Sequence, residues 1–173
     1  MIKKIVSGGQ TGADRAGLDV AIRWGFPHGG WCPKGRKAED GMIGGQYQLV
    51  ETPSASYLQR TEWNVRDSDA TVIFTISSQL SGGSKRTAEF ATKHCKPWIH
   101  LARQAASHEN PALILQRFVE ENSIRELNIA GTRASKEPQV WRFAYETLEA
   151  AFFWEQAHPS RLGGPGILSP LLH

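Results

Sequence analysis

The stretch Val6-Ser-Gly-Gly-Gln-Thr-Gly-Ala-Asp-Arg-Ala-Gly-Leu-Asp19 decides how this chain reads. Residues 2–6 (IKKIV) precede the loop as a short strand. From Ala13 the small and apolar positions recur at 13, 16, 17, 20, 21 and 24, which is one face of a helix. Strand, glycine loop, helix is an arrangement that holds anions. Glycines let backbone N–H groups approach an oxygen, and the helix points its unpaired donors and positive end the same way. The loop fits neither common phosphate motif. A P-loop needs a lysine after its last glycine, and none follows Gly12. A dinucleotide fingerprint needs glycine where Ser7 stands and an acid about 20 positions on, where the chain offers Trp31, Lys34 and Arg36. NAD-dependent redox chemistry is not expected.

With 173 residues, 40% hydrophobic, 21% charged and a net charge of +3, the chain suits a globular domain over 1–155 followed by a Pro/Gly-rich tail over 156–173. No apolar run approaches the roughly 18 residues of a membrane span, and no charged-then-apolar leader opens the chain. The expected setting is the cytoplasm, away from membranes. The weak net charge implies no nucleic-acid groove. Two cysteines, Cys32 and Cys95, give no disulfide framework.

Residues 25–56 are rich in Gly and Pro with little periodicity, the kind of long irregular stretch that is usually functional. A brief strand is expected there over 30–32. Ser56 caps a helix over 57–67, and ATVIFTI (70–76) reads as a strand buried on both faces. Further helices are expected over 84–94, 111–122 and 137–154, with strands over 98–101 and 127–130. This alternation gives the α/β class: a three-layer sandwich around a mostly parallel sheet.

Ligands bind beyond the carboxyl ends of such strands, and three strand-to-helix loops share one chemistry. They are Ser7-Gly8-Gly9-Gln10-Thr11-Gly12, then Leu80-Ser81-Gly82-Gly83-Ser84-Lys85-Arg86-Thr87, then Gly131-Thr132-Arg133-Ala134-Ser135-Lys136. Glycines, hydroxyls and cations together are the donor set of an anion site, although any one loop also reads as a plain turn and cap. Asp14 and Glu89 repel a phosphate but accept from hydroxyls or ring N–H groups; each also reads as an ordinary helix acid. Trp31 stacks on a flat heterocycle or fills a core. Lys34 and Arg36 face an anion or pair with Glu39 and Asp40. Arg60, Asn64 and Asp67 share a helix face that reads as solvated. His28 and Cys32 lack a second ligand pair, so no metal held by side chains is expected. Nothing marks a base for Cys32 as a nucleophile.

SGGQTGADRAGLD (7–19), HGGWCPKGR-x-AEDG (28–41), QRTEWNVRDSDAT (59–71) and LSGG (80–83) resemble the motifs of the molybdenum carrier family, over about residues 4–150. That family is related to the lysine-decarboxylase-like, cytokinin-activating phosphoribohydrolases. This chain departs from its pattern at Thr132, where proline is expected, and in the tail. The resemblance implies a single-domain Rossmann-like protein, homo-oligomeric with a tetramer as one expected size. It implies binding of molybdenum cofactor, a flat pterin with a dithiolene-held oxo-metal centre and a terminal phosphate. The cofactor is cargo, carried without chemistry and passed to a molybdoenzyme, and its metal arrives with the pterin.

The site would then comprise Ser7, Gly8, Gly9, Gln10, Thr11, Gly12, Asp14, Arg15, Trp31, Lys34, Arg36, Ser81, Gly82, Gly83, Ser84, Thr87, Glu89, Thr132 and Arg133. The related group implies the alternative: a nucleotide-binding protein, or a hydrolase of nucleoside 5'-monophosphates with Glu89 on the ribose and Arg15 or Arg86 on the phosphate. Against hydrolysis, Gly82 to Glu89 lacks the third glycine of G-G-x-G-T-x-x-E and shortens its Thr-to-Glu spacing by one.

Overall fold

The computed structural model describes residues 1–157. The tail expected over 156–173 lies outside the described residues from 158 onward. Strand β1 (Lys4–Ser7) leads through the first glycine loop into α1 (Ala13–Arg23), and β2 (His28–Gly29) then pairs beside β1. The long segment follows with β3 (Trp31–Cys32), β4 (Lys37–Ala38), β5 (Gly41–Met42) and β6 (Val50–Glu51). Then come α2 (Tyr57–Arg66), β7 (Ala70–Thr75), α3 (Gly82–Lys93), β8 (Trp98–Ala102), α4 (Pro111–Glu121), β9 (Glu126–Gly131), α5 (Val140–Phe152) and α6 (Trp154–Ala157).

The main sheet runs β2-β1-β9-β7-β8 with every pairing parallel. Helices α1, α5 and α4 pack together as one layer, and α2 packs on α3 as the other. All six residues of β7 are buried, as a central strand covered by helices on both faces requires. The core joins Val72, Phe74, Leu127 and Ile129 of the sheet to Ala16 and Val20 of α1, Leu115 of α4 and Leu148 of α5. The fold is a Rossmann-like α/β sandwich.

The long segment differs from the expectation of an irregular loop. The strand expected over 30–32 is found as β3, and β2 precedes it across Gly30, whose φ of 134° turns the chain and whose missing Cβ leaves room for the Ser7 carbonyl. The two strands join different sheets: β2 extends the main sheet, while β3 pairs with β6. A hairpin of β4 and β5 follows. The segment closes over a small core of its own, in which Leu18 of α1 meets Cys32, Ile43, Tyr47 and Leu49. Helix α5 starts later than expected, at Val140, and Pro138 disfavours helical geometry for Glu137 before it.

Candidate functional site

Strand β1 hands the chain outward to β2, β7 hands it outward to β8, and β9 lies between them. The strand order reverses there, so the loops after β1, β7 and β9 open onto one crevice. Its outer part is a cavity of about 150 Å³ walled by α2, by the first turn of α3 and by the loop after β9. Below it, a cavity of about 60 Å³ reaches down to Gly8, Asp14 and Asn128.

The two glycine-loop helices differ at their starts. At α1, Ala13 N–H already donates to the Thr132 carbonyl (3.2 Å). Gly12, at φ 81°, lies against that same carbonyl so closely that no side chain fits. The α1 end is therefore closed by the last loop. At α3, the cap residue Ser81 makes no side-chain capping bond, and Ser81, Gly83 and Ser84 line the outer cavity. An open helix start of this kind leaves backbone N–H donors available to an anion.

Arg60, Arg86, Arg133 and Lys136 also line that cavity. Arg86 pairs with Glu89 at 2.7 Å, and Arg133 stands 3.8 Å from Glu39. Lys136 Nζ reaches over Gly82 and has no acidic partner among the described residues. The Ser84 and Thr132 hydroxyls lie 3.4 Å apart, joining the second loop to the third.

The inner cavity is built around an ion pair. Arg60 lies against Gly8 in the space a Cβ would fill, and Nη1 donates to Asp14 Oδ2. Asp14 is 4% exposed. Burial pushes its carboxyl above the ordinary aspartate value, although Arg60 pulls the other way. Asn64 grips the backbone of Trp31 through both N–H and C=O (2.7 and 2.9 Å), and Asn128 donates to Thr71 (3.1 Å).

The structure sorts the expected site residues into separate groups. Gly8, Gln10, Asp14, Ser81, Gly83, Ser84, Thr87, Thr132 and Arg133 line the crevice, with Gly82 at its lip beside Lys136. Ser7 is buried beneath it, its hydroxyl against the Ile129 (2.8 Å) and Asp14 (3.1 Å) carbonyls. Gly9 packs under Leu49 and Ile43. Thr11 bonds Glu39 and the Ala134 N–H, so it fastens loops together.

Five of the expected residues lie away from the crevice. Arg15 turns from the crevice to the Gly9 carbonyl, Asp40 and the Tyr47 ring. Arg36 donates to the carbonyls of Ile43, Gly44, Tyr47 and Leu49, because the tight long segment needs one side chain to satisfy its inward oxygens. Trp31 packs edge-on against Trp63 at 4.8 Å, donates to Asp67 and lines neither cavity. Lys34 is exposed at the far end of the long segment, with its N–H on the Ser54 carbonyl. Glu89 lines neither cavity and is held by Arg86, one turn before it.

Sequence reasoning missed Arg60 and Asn64, which it placed on a solvated face. The signal was present. YLQRTEWNVR has too few apolar residues for an ordinary buried stripe, so its inner face had to be polar.

A larger cavity of about 490 Å³ lies elsewhere, between β8, α4 and α5. Its acidic groups Glu109 and Glu146 are already paired with Arg117 and Arg142. Among the described residues, no three His, Cys, Asp or Glu side chains group to hold a metal ion, and no helix is long and apolar enough to cross a membrane.

Residues 5–152 match the model of the circularly permutated YpsA SLOG family. The fold superimposes with a TM-score of 0.84 on the crystal structure of a protein from Syntrophus aciditrophicus SB, provisionally named a molybdenum carrier protein. That protein is 46% identical, and the match covers 87% of this chain and 95% of the other. No curated protein matches. The chain belongs to the circularly permutated YpsA SLOG family.

Proposed function

We propose that this protein binds molybdenum cofactor as cargo and carries it without chemical change. The observation that carries the reading is the open start of α3, ringed by Arg60, Arg86, Arg133 and a Lys136 that has no acidic partner among the described residues. A terminal phosphate placed there meets backbone N–H groups, hydroxyls and cations together. Lys136 also lines a separate, more open space of about 420 Å³ with Ile76, Gln104, Glu137, Pro138 and Gln139, which would give a flat ring system apolar edges and amides. The similarity to a protein named as a molybdenum carrier supports a molybdenum-bearing cargo.

The residues that fit the phosphate are Ser81, Gly83, Ser84, Thr132, Arg133 and Lys136. The metal travels with the pterin and asks for no side-chain ligand. The hydrolase alternative has less support, because Glu89, which it needs on the ribose, is held by Arg86 outside both cavities. The partners this reading requires are a molybdoenzyme to receive the cargo and, from the family resemblance, further copies of this chain.

The test is anaerobic. Purified protein is mixed with isolated molybdenum cofactor, free ligand is removed by gel filtration, and bound pterin and molybdenum are assayed with and without AMP as competitor. Equal retention of pterin and molybdenum, undisturbed by AMP, is expected. No retention, or displacement by the nucleotide, overturns the reading.

A further inference from the structure

The pair at the floor of the crevice is incomplete. Arg60 Nη1 is on Asp14, but Arg60 Nε is buried without a hydrogen-bond partner. An unsatisfied buried donor is costly, and a swing of the side chain toward the outer cavity relieves it. Arg60, Thr61, Gly83 and Gly131 line both cavities, so the guanidinium is the partition between them. Asp14, for its part, has Arg60 as its one salt-bridge partner among the described residues. The other charge that acts on it is Arg15 of its own helix, which is engaged with Asp40. The groups facing it from α2, α3 and β9, namely Asn64, Thr87 and Asn128, are neutral.

We propose, building on the anion reading of the outer cavity, that Asp14 stands in for the ligand's anion in the ligand-free protein. An oxyanion entering the outer cavity takes over Arg60. Asp14, left buried with the Gln10 backbone N–H and the more distant Arg15 as its remaining support, then takes up one proton from solvent on its carboxylate. The ion pair to Asp14 breaks, the ion pair to the ligand forms, and one proton is bound. Burial already raises the Asp14 carboxyl against the pull of Arg60, and loss of that partner moves it further the same way. Affinity for the anion therefore falls as pH rises, and loss of the proton favours release.

Sulfate is the probe, because it carries no titrating proton near neutrality. Calorimetry on the full chain from pH 6 to 8, in buffers of different ionisation enthalpy, compares wild type with Asp14→Asn. In wild type the sulfate affinity is expected to fall by up to about tenfold per pH unit, the limit for coupling to one proton, with proton uptake on binding. Asp14→Asn should bind with a flat profile and no uptake. Histidine titration would slope both proteins alike.

Equal slopes in the two proteins, a flat wild-type profile, or no sulfate bound by either overturns the exchange. Should Asp14→Asn not fold, infrared spectra of wild type at pH 7 decide: a new buried carboxylic-acid band on adding sulfate supports the proposal, and its absence overturns it. Cofactor retention beside a flat sulfate profile removes the exchange and keeps the carrier reading. Proton-linked sulfate binding without cofactor retention keeps the exchange and removes the carrier.

Discussion

The carboxylate of Glu39 accepts hydrogen bonds from both the backbone N–H (3.0 Å) and the hydroxyl (2.5 Å) of Ser135, 96 residues further along the chain. It also accepts from the Thr11 hydroxyl and stands near Arg133. One side chain of the long segment thus clasps the first and last loops together at the rim of the crevice.

That clasp has a pH signature. Burial raises the Glu39 carboxyl, but the bonds from Ser135 and Thr11 together with Arg133 outweigh it and hold it below the ordinary glutamate value. A depressed folded value means stability is present above the ordinary glutamate range and lost as pH falls below it. Glu39→Gln should cost about 1 kcal/mol at pH 7. Its urea-unfolding deficit relative to wild type should shrink at pH 3.5. A constant deficit would show that the charge on Glu39 contributes nothing.

Arg36 is predicted to be architectural. Its guanidinium reaches four carbonyls at 2.9 to 3.1 Å, a fork that a lysine ammonium cannot match. Arg36→Lys should destabilise the protein by about 2 kcal/mol while leaving sulfate or cofactor affinity at the wild-type value. A selective loss of affinity at unchanged stability would return Arg36 to the ligand.

Local pattern made much of this fold legible. The continuous apolar run at Ala70–Thr75, the small-residue stripe of α1 and the Ser56 cap, which accepts from Leu58 N–H, all reported what their own neighbours in sequence impose. The convergence of three loops followed from the parallel sheet. What local pattern could not supply was the distant partner of each polar side chain. Arg15 finds Asp40, Asp14 finds Arg60, and Thr11 finds Glu39, across gaps of 25, 46 and 28 residues. The miniature core of the long segment was hidden for the same reason: Cys32, Ile43 and Leu49 have no common period and meet only by folding onto Leu18.

Arg60→Met separates the two halves of the buried pair. Without the guanidinium, Asp14 is a buried carboxylate left with the Gln10 backbone N–H and the more distant Arg15, and removal of one partner of such a pair costs about 3 kcal/mol. The sign with pH is set by Asp14: its folded value is raised, so the folded state binds more protons and loses stability as pH rises. The variant should therefore be close to wild type at pH 5 and clearly weaker at pH 8 in urea unfolding. A penalty that does not grow with pH would mean that Asp14 reaches water once Arg60 is gone.

Gly83 gives the cleanest separation of binding from folding. It lies in the first turn of α3, and a Cβ built there meets nothing within 4 Å. Gly82 is less suitable, because its φ of 51° strains any side chain. A carboxylate at position 83 suits the positive end of a helix, so Gly83→Asp should leave the thermal midpoint equal to wild type or slightly above it. The same carboxylate would occupy the mouth of the outer cavity and repel an arriving phosphate. Retention of molybdenum cofactor and affinity for sulfate should both fall by more than about tenfold, which corresponds to about 1.4 kcal/mol. Unchanged retention in a protein of unchanged midpoint would move the anion away from α3 and leave the α2 arginine as its only anchor.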